Sequence, residues 1–313
     1  MKPGEVKGME KEQLQVEIRK LARDRKALIL AHNYQPPEIQ EIADLVGDSL
    51  ELSLKAARTE ARVIVFCGVL FMAETAHIVS PDKTVLFPAP QACCAMASMI
   101  TPEDVRVLRE KYPGAPVVTY VNSYAEVKAE SDICCTSANV VRVIASLPER
   151  EVICLPDMNL ARYAQRHFPD KKIIYHQGFC PFHDTLTPED VRRAREAHPG
   201  ALFVAHPECR PEVIDLADHV ASTSGMLKFC RESEHREFII GTEVGLLYPL
   251  RKQNPDKKFY PASEKMLCEA MKLTTLELVY RALETLEPRV EVPEEIRKRA
   301  LRAVKRMLEI PRG

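Results

Sequence analysis

The sequence has almost no net charge: 44 Lys and Arg against 45 Asp and Glu leave −1. That balance excludes the broad basic field by which proteins gather nucleic acid, so recognition falls to local sites. Long apolar runs are also missing. The longest, Val63 to Ala73, is far short of the roughly 20 residues a membrane-spanning helix needs, and no membrane partner is predicted. From Met1 to Lys26 the chain alternates charges without a signal-peptide core; it reads as an amphipathic helix starting near Glu10, and a cytoplasmic location is predicted. No Cys-x-x-Cys pair occurs, which argues against ribbon or knuckle zinc sites and thioredoxin-type dithiols. Tryptophan is absent, and Asn and Gln are few beside Glu, Lys and Arg, a balance that leans toward a heat-adapted source.

What is present is ordinary in amount. With 313 residues, 46% hydrophobic and 28% charged, the chain is globular and not disordered, collagenous or coiled-coil. A chain of this size buries its own core without staples, so its ten cysteines read as reduced thiols, and any metal must draw on ligands far apart in sequence.

The order of those residues is more informative, because the sequence repeats. Ala27-Leu-Ile-Leu-Ala-His32 recurs as Ala115-Pro-Val-Val-Thr-Tyr120, 88 residues on, and as Ala201-Leu-Phe-Val-Ala-His206, a further 86. Each is a short apolar run bounded by Gly, Pro or charge, and hence a buried strand. Ser49, Ser137 and Thr223 follow in the same register, each expected to open a helix with N-cap chemistry. A second strand, a helix, a Pro-Asp-Lys turn (Pro81, Pro169, Pro255) and a third strand complete each unit. The pattern predicts an α/β fold of three homologous three-layer αβα units with small parallel sheets in a pseudo-threefold arrangement. The expected boundaries are an N-terminal helix in 1–25, repeats at 26–113, 114–200 and 201–289, and a C-terminal helix in 290–313. That last helix, Pro293 to Leu308, is expected to pack back on the body.

Residues at matching positions of such a ring converge near its axis. After each third strand a Cys precedes a Thr by seven residues: Cys94 and Thr101, Cys180 and Thr187, Cys268 and Thr275. The spacing selects Cys94 over Cys93. Three thiolates on a threefold axis match a [4Fe–4S] cluster with one iron left open; a three-Cys zinc site with an open position is the chemical alternative. The other seven cysteines, Cys134 and Cys135 near a helix start among them, read as core. Past the carboxyl ends of the first strands lie the pairs His32 and Tyr34, Tyr120 and Asn122, and His206 and Glu208, where open α/β sheets bind ligands. With Ser49, Ser137 and Thr223 at helix N-termini that favour anions, the expected ligand is small, polar and polyanionic. A redox sensor or electron carrier would have no use for such a pocket.

The runs Ala31-His-Asn-Tyr-Gln35, Gly47-Asp-Ser-Leu-Glu-Leu52, Gly68-Val-Leu-Phe-Met-Ala-Glu74, Tyr120-Val-Asn122, Cys135-Thr-Ser-Ala-Asn139, Gly178-Phe-Cys-Pro-Phe-His183, His206-Pro-Glu-Cys209, Ser222-Thr-Ser-Gly225 and Gly241-Thr-Glu-Val-Gly-Leu246 together resemble the quinolinate synthase family, over about residues 27 to 287. The resemblance implies an enzyme of de novo NAD biosynthesis that condenses iminoaspartate, supplied by an aspartate-oxidising enzyme, with dihydroxyacetone phosphate, releasing phosphate and water. It implies one [4Fe–4S] cluster per chain on Cys94, Cys180 and Cys268, whose open iron assists dehydration. His32, Ser49, Tyr120, Asn122, Ser137, His206, Glu208 and Thr223 would bind substrate. Tyr34, Tyr120, His183 and Glu208 would be catalytic, with Glu208 shuttling a proton. Where some relatives carry a Cys-x-x-Cys-x-x-Cys run before the third ligand, this sequence has Ala262 and Lys265, so no thiol switch is expected there.

Overall fold

The computed structural model describes residues 9–311. Ala27–His32 (β1), Leu45–Gly47 (β2), Val63–Cys67 (β3) and Thr84–Leu86 (β4) make one sheet in the order β2-β1-β3-β4. Val117–Tyr120 (β5), Ile133–Cys135 (β6), Glu151–Leu155 (β7) and Lys172–Tyr175 (β8) make a second, ordered β6-β5-β7-β8. Leu202–Ala205 (β9), His219–Val220 (β10), Glu237–Gly241 (β11) and Lys258–Pro261 (β12) make a third, ordered β10-β9-β11-β12. Every pairing is parallel, as strands joined through helices must be. The α/β class and the triplication agree with the sequence pattern.

The sheets have four strands, where the sequence led us to expect three per unit. The added strands β2, β6 and β10 hold three, three and two residues. Segments that short carry no readable period. Each has a job all the same, since it delivers the chain to the turn bearing Ser49, Ser137 or Thr223.

Long apolar strands are buried on both faces: Val63–Cys67 is buried at all five positions, and Phe203, Val204, Phe238 and Ile239 are fully enclosed. Such strands read as continuous hydrophobic runs because helices cover both sides. The N-terminal helix spans Lys11–Asp24 and buries Leu14, Ile18 and Ala22 against the helix Leu276–Thr285; residues 1–8 of the expected segment lie outside the described residues. The C-terminal helix runs Glu294–Glu309 with Pro293 at its N-cap. Through Ala300, Ala303, Val304 and Met307 it packs on β6 and on the helices Leu70–Val79 and Ala125–Ala129. Among the described residues no helix is long and apolar enough to cross a membrane.

Candidate active site

The carboxyl ends of β1, β5 and β9 face one cavity. His32, Tyr34, Tyr120, Asn122, His206 and Glu208 line it together with Ser49, Ser137, Thr223, His183 and the three cysteines Cys94, Cys180 and Cys268. Residues up to 236 positions apart in sequence thus share one space.

The seven-residue spacing from Cys to Thr now has a physical explanation. Each cysteine stands just ahead of a short helical turn, Ala97–Met99, Pro181–Asp184 or Glu269–Lys272. Each threonine then caps the next helix, its hydroxyl accepting from the backbone N–H of Asp104, Asp190 or Leu278. The turns also aim N–H groups at sulfur: Ala97 and Met96 at Cys94, His183 at Cys180, Met271 and Ala270 at Cys268. Gly178 lets the Cys180 segment approach, because a Cβ there would sit 2.7 Å from the Pro156 carbonyl oxygen.

Burial raises the Cys94 thiol to about 12 and Cys268 to about 11, and pushes Cys180 well up too. Cys94 feels charge on Cys268, and Cys180 feels charge on Cys94. Three neighbouring buried thiols, each met by N–H donors, suit a cationic metal group that pulls them into thiolate form. Of the other cysteines, six are buried and Cys93 is exposed, so Cys93 is not core. Cys134 and Cys135 belong to β6 and not to a helix start.

The hydroxyl residues differ from expectation in detail. Ser49 is the first helical residue, and the cap is Asp48, which accepts from Leu50 and Glu51. Ser222, not Thr223, caps the third helix. Ser137 lies in the turn ahead of Val140–Ala145, where Asn139 holds the N-cap position without a side-chain cap. Relieved of capping, the three hydroxyls face the cavity; Thr223 Oγ1 also accepts from Asn33 Nδ2 at 2.8 Å.

His32 and His206 are matched in geometry as well as in register. The backbone N–H two residues on donates to Nδ1 of each ring, from Tyr34 at 3.2 Å and from Glu208 at 3.3 Å. Each Nε2 therefore carries the hydrogen. Burial lowers His32 to about 4 and His206 to about 3, so both rings are neutral at pH 7. Asn122 Oδ1 is buried and has no partner, an acceptor left for a ligand.

A directed chain of hydrogen bonds crosses the site. His183 Nδ1 lies 2.7 Å from Glu208 Oε2 and 3.1 Å from Cys180 Sγ. Its Nε2 lies 2.8 Å from Thr242 Oγ1, which lies 2.6 Å from the Tyr34 hydroxyl. Tyr120 bonds both Glu208 and Ser137. Burial opposes charge on Glu208, yet His183, His206 and the hydrogen bonds from His183 and Tyr120 outweigh it and hold the carboxyl below its usual range. Burial keeps the Tyr34 and Tyr120 phenols protonated. Cys180, His183 and Glu208 place ligand atoms within 4.8 Å of one another, a set that also suits zinc, though His183 and Glu208 are already paired to each other.

Sequence reasoning missed Thr242 as a site residue. It follows β11 where the other units have Gly68 and Pro156, so no repeat register marks it.

Residues 16–309 match the family described as Quinolinate synthetase A protein. The chain is 59% identical over 297 residues to the quinolinate synthase of Methanoregula boonei, covering 95% of this chain and 98% of that protein. It is 55% identical over 304 residues to that of Geotalea uraniireducens (97% and 100% covered) and 56% identical over 294 residues to that of Thermodesulfovibrio yellowstonii (94% and 97%). With the match spanning nearly the whole length, the chain belongs to the quinolinate synthase family of enzymes.

Proposed function

We propose that this chain makes quinolinate for NAD biosynthesis, condensing iminoaspartate with dihydroxyacetone phosphate and releasing phosphate and water, as a cytoplasmic enzyme fed by an aspartate-oxidising enzyme. The observation that carries this reading is the convergence of three matched cysteines and three matched polar pairs on one cavity. Units 26–113, 114–200 and 201–289 each supply one wall.

Cys94, Cys180 and Cys268 would hold one [4Fe–4S] cluster. When bound, the cluster supplies a Lewis-acidic iron without a protein ligand, suited to taking hydroxide in a dehydration. The rest falls to the chain's own residues. His32 and His206 offer neutral Nε2–H donors to carboxylates, and Ser49 and Thr223, at the starts of ten-residue helices, favour anions. Asn122 and Ser137 complete the grip from the second unit. Substrate and product together present a phosphate and two carboxylates, which fits this inventory.

Proton movement follows the hydrogen-bond chain. Glu208 draws on His183 Nδ1–H, which makes Nε2 a better acceptor for the Thr242 hydroxyl, which in turn accepts from Tyr34. Tyr34, which burial otherwise keeps protonated, would act as a base only as its phenolic proton passes by way of the Thr242 hydroxyl to His183 Nε2, leaving an imidazolium that Glu208 pairs. The ketose-to-aldose step moves a proton between neighbouring carbons, and Glu208 with the Tyr120 hydroxyl would carry it. Anaerobic assay of the purified chain with the two substrates tests the reading: quinolinate and phosphate should appear together, and an iron-loaded chain that forms neither contradicts it.

A further inference from the structure

Glu243 follows Thr242 at the end of β11, and only 1% of its surface is exposed. Its Oε1 accepts from the Cys268 backbone N–H at 3.1 Å and meets Lys272 Nζ at 2.8 Å. Its Oε2 accepts from the Gly245 N–H at 2.7 Å. Lys272, at the end of the turn after Cys268, also donates to the Tyr34 carbonyl. The carboxylate is thus engaged on both oxygens, and the ammonium spans the first and third units.

Gly245 provides the room for this closure. A Cβ at that position would stand 2.7 Å from Glu243 Oε2, 2.8 Å from Lys272 Nζ and 2.9 Å from the Tyr34 carbonyl oxygen. One methyl group would therefore strike all three partners at once. Among the described residues neither Cys94 nor Cys180 has its backbone N–H held by a carboxylate; Cys180 is met instead at its sulfur by His183, paired to Glu208.

We propose that Glu243, Lys272 and Gly245 form a clamp that positions Cys268 and couples its loop to the Tyr34 segment. Resting on the cluster assignment above, the clamp governs retention of the cluster. The third cysteine sits in the loop between β12 and the helix Leu276–Thr285, beside the half-exposed Leu267 and Leu273. Met266 and Met271 anchor the loop on either side, through the Val244 N–H and Gln35 Nε2, and the clamp adds the one carboxylate that holds the Cys268 N–H itself. Groups that orient metal ligands typically alter metal affinity by about 10- to 100-fold when removed.

The test is the rate at which anaerobically loaded protein gives up iron to a ferrous chelator. Glu243→Gln, Lys272→Met and Gly245→Ala should each release iron about tenfold faster or more, and the Glu243→Gln/Lys272→Met double variant no faster than the worse single, because the two residues act as one unit. Glu294→Gln serves as the control. It breaks the ion pair to Arg297 on the C-terminal helix and should release iron at the wild-type rate. Clamp variants that release iron at the wild-type rate overturn the proposal, as does equal acceleration by Glu294→Gln. If Gly245→Ala fails to fold, Lys272→Met decides, since its side chain is 26% exposed. A wild-type chain that takes up no iron refutes the cluster assignment itself, a result separate from any difference among variants.

Discussion

The Tyr34 hydroxyl lies 2.6 Å from Thr242 Oγ1, a contact between residues 208 positions apart. The same threonine oxygen lies 2.8 Å from His183 Nε2. One hydroxyl therefore joins the phenol of the first unit to the imidazole and carboxylate beyond it.

Thr242→Val keeps the shape of that side chain and removes the link. Turnover is expected to fall by about 10² or more, with iron content unchanged. Thr242→Ser should restore most of the rate. Steady-state assay beside iron analysis checks this, and full activity in the valine variant would remove the relay.

At the other end of the chain of bonds, Glu208→Gln should also keep iron and lose about 10² or more in turnover. The amide cannot take the His183 proton. Normal turnover in that variant would take Glu208 out of proton transfer.

Stability should depend on pH through the two buried imidazoles. Burial sets His32 at about 4 and His206 at about 3, below the ordinary value near 6.5. Below about pH 6.5 the unfolded chain binds protons that the folded chain does not. Folding stability is therefore full above that pH and falls as pH drops toward 4 and then 3. Each such histidine contributes a slope of about 1.4 kcal/mol per pH unit. Denaturant unfolding of cluster-free His32→Gln between pH 7 and 5 should show a shallower loss than the wild type; parallel curves would contradict it.

Asn139 ties the C-terminal helix to the second unit. Its Nδ2 donates to the Met307 and Ile310 carbonyls, and its Oδ1 accepts from the Thr136 N–H and hydroxyl. Asn139→Ala strands buried partners on both sides and should cost about 2–4 kcal/mol, read as a lower denaturation midpoint. An unchanged midpoint would show that water replaces these bonds freely.

Much of the site was legible because the repeats carry local chemistry as well as strands. Thr101, Thr187 and Thr275 cap helices that start eight residues past each cysteine, so the spacing that singled out Cys94, Cys180 and Cys268 is a folding signal. His32 and His206 matched for a similar reason, since both accept the same i+2 backbone hydrogen. Where an element is short or unrepeated, the signal fades. Strands of two or three residues such as His219–Val220 have no period to read. Asp48 and Ser222 took the capping roles expected of Ser49 and Thr223, because either of two adjacent polar residues satisfies cap chemistry and only packing chooses between them. Thr242, Glu243 and Lys272 act only from the third unit, and comparison among units could not reveal them.

The most direct test is the metal content of anaerobically reconstituted protein with single cysteines removed. The wild type and Cys93→Ala should be brown and carry about four irons per chain, while Cys94→Ala, Cys180→Ala and Cys268→Ala should each lose them. A colourless zinc-loaded wild type, or full iron in Cys268→Ala, would contradict the three-walled cluster site.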